Sequence, residues 1–204
     1  TAATFGDDMA DAEAAFLDDV IAWVEARETP LPFIYTGGVW LYGPTGDIAA
    51  REGRPFVNGS AFDFMSRHRQ RLFDCAELKA SVVHPALVWD ETGGAIAPFL
   101  EAAANGQPAQ LIEGGANRWP LVHRDDLARL YMLAAEAGRD RMDYHGVGNR
   151  GLAVRHIAGA IARHRAGPPP TSRSLDAARA ELGDYALYQS WDQCMEAPVS
   201  AEIL

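Results

Sequence analysis

The chain has 204 residues, 48% of them apolar, and a formal net charge of −10, which gives room for one substantial domain and an acidic surface that repels phosphate backbones, so nucleic acid is not an expected partner. No run of about 18 apolar residues occurs, so no membrane-spanning helix is expected. The two cysteines, Cys75 and Cys194, lie far apart, form no disulfide framework and fit a reduced, cytoplasmic setting.

The opening TAATFGDDMADAE is acidic and has neither the basic start nor the apolar core of a signal peptide. Residues 9–27 read as the first helix, with Phe16, Val20, Trp23, Val24 and Arg27 sharing one face. Its acidic first turns suit the positive end of the helix dipole. FIYTGGVWLYG, residues 33–43, reads as a strand over 33–35 that continues through 39–42. Gly37 and Gly38 at its centre give up side-chain packing. A glycine inside a strand marks a bulge, a bend or the close approach of a backbone or ligand, and a ligand is the preferred reason here.

Residues 43–60 form a loop, and residues 61–76 a second helix with a basic middle, SRHRQR, in which Cys75 is a buried free thiol. Residues 81–83 and 87–89 flank Pro85 in a second strand, and residues 96–104 form a helix. Short strands are expected at 110–112 and 121–123, followed by a helix over 126–137 with Asp125 or Asp126 as N-cap. A weak strand at 143–147 and a helix at 153–165 follow. The run Pro168-Pro169-Pro170 begins a linker, and residues 175–182 form a helix closed by Gly183. The tail ends in an apolar helical fragment.

GVGNRG, residues 146–151, satisfies the spacing of a dinucleotide-binding turn. That motif needs a buried strand before it and a second strand about 20 residues later. The polar DRMDYHG before it and AGPPPTSRS after the next helix supply neither. A tight strand-to-helix turn is the preferred reading. Strands alternating with helices argue for an α/β fold with a mainly parallel sheet, whose ligands sit at the carboxyl ends of the strands.

FIYTGGVWLYG resembles the Ser/Thr-Ser-x-x-Val-Tyr-Gly strand of the extended short-chain dehydrogenases/reductases, the NAD-dependent epimerase/dehydratase family. VVHPALVWDETGG resembles their Arg-Pro-x-Asn-Val-Tyr-Gly-Pro segment. RWPLVHRDDLARLYMLAAE is similar to the start of their Val-His-Val-x-Asp-Leu-Ala helix, and GLAVRHIAGAIARH to a later helix. TAAT at residues 1–4 matches the segment that closes the family's fourth strand. The family's first three strands and glycine-rich phosphate turn have no counterpart here, so a longer natural chain is expected. The resemblance implies a partial Rossmann-like, doubly wound, mainly parallel sheet with a smaller C-terminal substrate lobe. Residues 1–108 would form the end of the NAD(P)-binding domain, and residues 109–204 the substrate lobe interleaved with the last sheet elements.

It also implies NAD or NADP as cofactor and a small-molecule substrate, a carbonyl or hydroxyl compound or a sugar. A homodimer through helices 9–27 and 61–76 is implied as well. The family's catalytic Ser/Thr falls on Gly38, with Thr36 two residues earlier. Its Tyr-x-x-x-Lys motif maps onto Asp63 and Arg67, or by a one-residue slip onto Phe62 or Phe64 in place of Asp63. Thr36, Asp63 and Arg67 are therefore the candidate catalytic set. Arginine cannot readily share a proton, and a carboxylate near neutral pH is a poor donor. The expected cofactor contacts are Ala2, Ala3, Thr4, Thr36, Gly37, Gly38, Arg67, Pro85 and Ala86. The expected substrate contacts are Trp40, Tyr42, His84, Leu87 and Arg118, with Arg118 set for a substrate phosphate. His84 and Leu87 replace the family's Arg and Asn, which suggests a less polar pocket. His123 and Asp126 read as a structural turn, and no metal site is expected. The function implied is an NAD(P)-dependent epimerase/dehydratase-like oxidoreductase with a non-standard catalytic set. The alternative is an NAD(P)-binding regulatory protein or pseudoenzyme without hydride transfer.

Overall fold

The computed structural model describes residues 8–27 and 29–204. Helix α1 (Met9–Glu25) buries Met9, Leu17 and Val24, with Ile21 packed beside them. The face expected from periodicity included Phe16 and Trp23, yet these are 42% and 53% exposed. Two apolar stripes overlap on this helix, and the aliphatic one is the one that meets the sheet. Trp23 instead lies under the Arg27 guanidinium, 4.5 Å from its ring centre.

Strand β1 (Leu31–Thr36) leads into Gly37 and Gly38. The strand does not resume after them: Val39–Tyr42 is a 3-10 turn, ended by Gly43 at φ 61°. The turn drives Leu41 and Tyr42 into the core, where both are 1% exposed. Helix α2 (Asp63–Asp74) presents Phe64, Met65, His68, Leu72 and Phe73 inward, and Cys75 just beyond it is buried and free.

Strand β2 (Leu78–Pro85) reads as a near-continuous apolar run because both its faces are covered, as a central parallel strand requires. Leu78, Ala80 and Val82 pack toward α1 and α2. Val83 packs toward helix α4 (Arg124–Ala137) with Leu130 and Ala134. Each large apolar side chain buried this way contributes roughly 1.5–3 kcal/mol.

The segment expected as one strand around Pro85 is two strands in different sheets. β2 lies in a parallel sheet of order β1-β2-β7, with β7 at Met142–Gly146. β3 (Leu87–Asp90) lies in a mixed sheet with β4 (Gly93–Gly94), β6 (Arg118–His123) and β8 (Asn149–Ala153). The chain crosses between sheets at Ala86, whose N–H donates to Gly146 O at 2.9 Å. β5 (Gln110–Ile112) pairs in parallel with β9 (Thr171–Arg173), so part of the expected linker after the prolines is a strand.

GVGNRG ends β7 and opens β8, so it joins strand to strand rather than strand to helix. Its glycines answer to packing: a Cβ at Gly146 would meet Leu127 at 2.7 Å, and one at Gly151 would meet Cys194 Sγ at 2.9 Å. Helix α4 is capped by His123, whose Nδ1 accepts from Asp125 N–H, not by either aspartate. Helices α3 (Ala97–Ala104), α5 (Val154–His164), α6 (Leu175–Leu182) and α7 (Tyr185–Ser190) complete the C-terminal part. Gly183 closes α6 at φ 63° as expected, whereas α7 was not foreseen. Among the described residues no helix is long and apolar enough to cross a membrane. The fold is an α/β, Rossmann-like arrangement with a mainly parallel sheet, as the element order implied.

Candidate functional site

A cavity of about 740 Å³ opens at the carboxyl ends of β1 and β2. Thr36, Gly37 and Gly38 form one wall, and Pro85 and Ala86 another. Trp40 and Leu87 also line it, so seven of the residues expected at the site come together here. Phe62 and Met65 from the α2 region, Leu127 and Tyr131 from α4, and Tyr185 from α7 close the remaining sides. Ligands of open α/β sheets bind at this end of the strands because loops and helix ends converge there.

Polar side chains in the cavity are few. Thr36 Oγ1 and the Tyr131 hydroxyl share a hydrogen bond of 2.7 Å. Burial pushes the Tyr131 phenol above the usual tyrosine range, against the lowering effect of Thr36, so it stays protonated at neutral pH. At the opposite edge the Tyr35 hydroxyl donates to Glu13 Oε2 at 2.6 Å, with His68 Nδ1 3.4 Å away. Burial, then the hydrogen bond and charge of Glu13, raise Tyr35 well above its ordinary value. Burial pushes His68 down, although Glu13 opposes it.

The two glycines have different reasons. A Cβ built on Gly37 would lie 2.3 Å from His84 Nδ1. Its missing side chain is therefore accounted for by a buried histidine of the neighbouring strand, not by a ligand. A Cβ on Gly38 would meet no heavy atom within 4 Å. Gly38 sits in extended backbone, φ −164°, that any residue adopts. At Gly38 the packing given up is real empty space.

His84 belongs to a packed polar network behind the cavity wall. It is 0% exposed, and its Nε2 lies 3.1 Å from Asp143 Oδ1. Arg69 grips the same carboxylate through Nε at 2.7 Å and Nη2 at 2.5 Å. Burial pushes Asp143 up, but the hydrogen bonds from His84 and Arg69 outweigh it and hold the carboxyl at about 2. Beside it, His145 Nδ1 lies 2.8 Å from the Glu196 carbonyl and Nε2 lies 2.7 Å from the Tyr42 hydroxyl. A carbonyl only accepts, so Nδ1 carries the proton and Nε2 accepts from Tyr42. Burial, then the charge of His84, push His145 down to about 4.

Five expected residues lie away from the cavity walls. Tyr42 and His84 are in the network just described. Asp63 accepts from Gly59 N–H at 2.7 Å and from Ser60 N–H and Oγ at 3.1 and 3.0 Å. Those bonds, led by Gly59, lower its pKa and make it the brace of the turn before α2. Arg67 is exposed, on the turn of α2 between the inward-facing Met65 and His68. Arg118 is committed to Asp192, through Nε at 2.8 Å and Nη2 at 2.7 Å, and to Asp47 at 2.9 Å. Ala2, Ala3 and Thr4 lie outside the described residues.

Sequence reading missed Tyr131, Leu127, Met65 and Tyr185. The only signal for Tyr131 was its place four residues after Leu127 on one face of α4, which a core residue also satisfies.

No family model matches the chain. An uncharacterized protein of Schizosaccharomyces pombe is 33% identical over 117 residues, 56% of this chain and 39% of its own length. An uncharacterized protein of Saccharomyces cerevisiae is 34% identical over 174 residues, 84% of this chain and 56% of its own length. The chain thus spans from two fifths to little more than half of these curated relatives. Among solved structures, human epimerase family protein SDR39U1 (isoform 2) with NADPH superposes with a TM-score of 0.80 at 16% identity, covering 98% of this chain and 70% of that one. The dTDP-glucose 4,6-dehydratase of Bacillus anthracis in complex with NAD gives 0.77 at 13% identity, covering 96% and 62%. DesIV, a dTDP-glucose 4,6-dehydratase of Streptomyces venezuelae with NAD and TYD bound, gives 0.70 at 17%, covering 90% and 66%. At these identities the likeness shows that the fold is shared.

Proposed function

We propose that this chain carries the nicotinamide and substrate end of an NAD(P)-dependent, epimerase/dehydratase-like oxidoreductase, and that the cavity at Thr36–Gly38 is its active site. The single observation that carries this reading is the Thr36–Tyr131 hydroxyl pair, 2.7 Å apart, facing a cavity beside the open space at Gly38. The fold shared with proteins crystallised with NAD or NADPH supports it.

The residues present fit the nicotinamide half of such a cofactor. Gly38 leaves a gap that a flat ring can enter, and Pro85, Ala86 and Leu87 supply an apolar opposing surface. Among the described residues the pyrophosphate half finds no such cradle, since GVGNRG is a strand-to-strand connection. When bound, the nicotinamide supplies or takes up the hydride. The chain's own residues do the rest. Thr36 and Tyr131 orient the reacting oxygen by hydrogen bonds. Tyr131, kept neutral by burial, gives its proton to that oxygen as negative charge develops on it. Trp40, Phe62 and Met65 keep water away from the reacting carbon. Asp63 and Arg67 take no part in this scheme.

The test is NAD(P)H oxidation with a panel of carbonyl compounds, using the wild type and Tyr131→Phe. Cofactor-dependent turnover that falls with Tyr131→Phe is expected. Cofactor binding without turnover on any carbonyl would leave a binding protein instead, and no binding at millimolar cofactor would remove the reading altogether. The exposed Phe16 and Trp23 on α1 also support a homodimer through α1 and α2, which light scattering at several protein concentrations would reveal.

A further inference from the structure

The cavity's chemistry narrows the substrate class beyond the fold. Val39, Leu41, Met65, Leu87, Val88 and Leu127 give it aliphatic walls, and among the described residues no Lys, Arg or His lines it. A nucleoside-diphosphate sugar brings two phosphates, and an anion buried without cations or aligned N–H donors loses several kcal/mol of hydration. The arginine suited to a phosphate by its type, Arg118, is already neutralised by Asp192 and Asp47 and does not face the cavity.

A smaller cavity of about 290 Å³ shares Tyr185 with the first. Its one cation, Arg173, is bonded through Nη1 to Glu181 at 2.7 Å. The Arg173 Nε–H has no partner. Glu181 offsets the Arg173 charge, which weakens the hold of this guanidinium on a pyrophosphate. The net charge of −10 further disfavours the approach of a polyanion.

We infer that the substrate is an uncharged, largely apolar ketone or aldehyde, or the corresponding alcohol, and not a nucleotide sugar. The inference rests on the oxidoreductase reading above. In the reducing direction the carbonyl carbon gains a hydride from the reduced nicotinamide, which is thereby oxidised. The carbonyl oxygen gains the Tyr131 proton as the C=O π bond opens, and water returns a proton to Tyr131. Cavities of roughly 300–1,000 Å³ lined mainly by apolar groups with a few placed polar ones suit such ligands.

Calorimetry on the full chain, with α-tetralone and UDP-glucose as probes and no turnover required, tests this. The expected result is tetralone affinity at least about tenfold above that of UDP-glucose, a gap of about 1.4 kcal/mol. Gly38→Leu, whose Cβ meets no heavy atom within 4 Å, should weaken tetralone about tenfold or more while the melting curve stays in place. UDP-glucose binding as tightly as tetralone, UDP-glucose displacing it, or no tetralone binding overturns the inference. A parallel NADPH titration separates the two readings. NADPH binding without tetralone binding overturns the substrate class alone. Tetralone binding without NADPH binding upholds the ligand class and overturns the cofactor reading.

Discussion

Gly37 and Gly38 are neighbours in the chain but face two different regions. Behind Gly37 lies a close-packed polar network in which His84 and Arg69 share the Asp143 carboxylate, while His84 Nδ1, the atom nearest Gly37, has no hydrogen-bond partner. In front of Gly38 lies an apolar cavity lined by the half-buried Thr36–Tyr131 hydroxyl pair. The first region is rich in titratable groups and closed to ligands, whereas the second is poor in them and open. Clusters of perturbed ionisable side chains are often taken to mark active sites. Here the densest cluster braces the wall, and the chemistry proposed lies on its other side.

The contrast breaks most sharply at Asp143. Asp143→Ala leaves a buried His84 and a half-buried Arg69 without their partner, and urea unfolding should show a loss of about 3 kcal/mol. Tyr131→Phe is the opposite case. It should lower kcat/KM by about 100-fold, some 2.7 kcal/mol in the barrier, with a far smaller change in unfolding free energy. Gly37→Ala pushes a methyl group into His84 and should cost about 1–3 kcal/mol of stability. That cost should shrink in a His84→Ala background, because a double-mutant cycle registers contact between the two positions.

Acid should weaken the network in two stages. His145 titrates near 4 in the folded chain against 6.5 for the free imidazole, so between those values the unfolded chain binds the extra proton. Stability is therefore full above about pH 6.5 and falls as pH drops toward 4. Asp143, at about 2 against 3.8, adds a second loss as pH falls from the upper value toward the lower. Urea midpoints between pH 7 and pH 3 should follow this course, and His145→Gln should flatten its upper part. The smallest effect belongs to Gly38→Ala, which should change stability by no more than about 0.5 kcal/mol.

Much of the fold was legible because it depends on local pattern. The apolar run of β2, helices α3 to α6 and the Gly183 stop all follow from spacing and capping. The misplaced features depend on partners distant in sequence. Which stripe of α1 is buried is decided by the sheet it meets. The turn after Gly38 looks like strand because Val39 to Tyr42 are good strand formers, but their side chains are claimed by a core that turns them inward. The site was legible in its strand ends and not in its hydroxyls. Thr36 finds Tyr131 across 95 residues, and Gly37 needs His84 from the neighbouring strand. Asp63 and Arg67 came from aligning a helix by motif, and neither is aimed at the cavity.

The most direct measurement is an NADPH fluorescence titration of the full chain beside Gly38→Leu and Gly37→Ala. The account predicts saturable binding in the wild type and at least about tenfold weaker binding in Gly38→Leu, with its melting temperature unchanged. Gly37→Ala should lose stability yet, under conditions where it is still folded, keep most of its affinity. Equal affinity in wild type and Gly38→Leu, or no NADPH binding by the wild type, would contradict it.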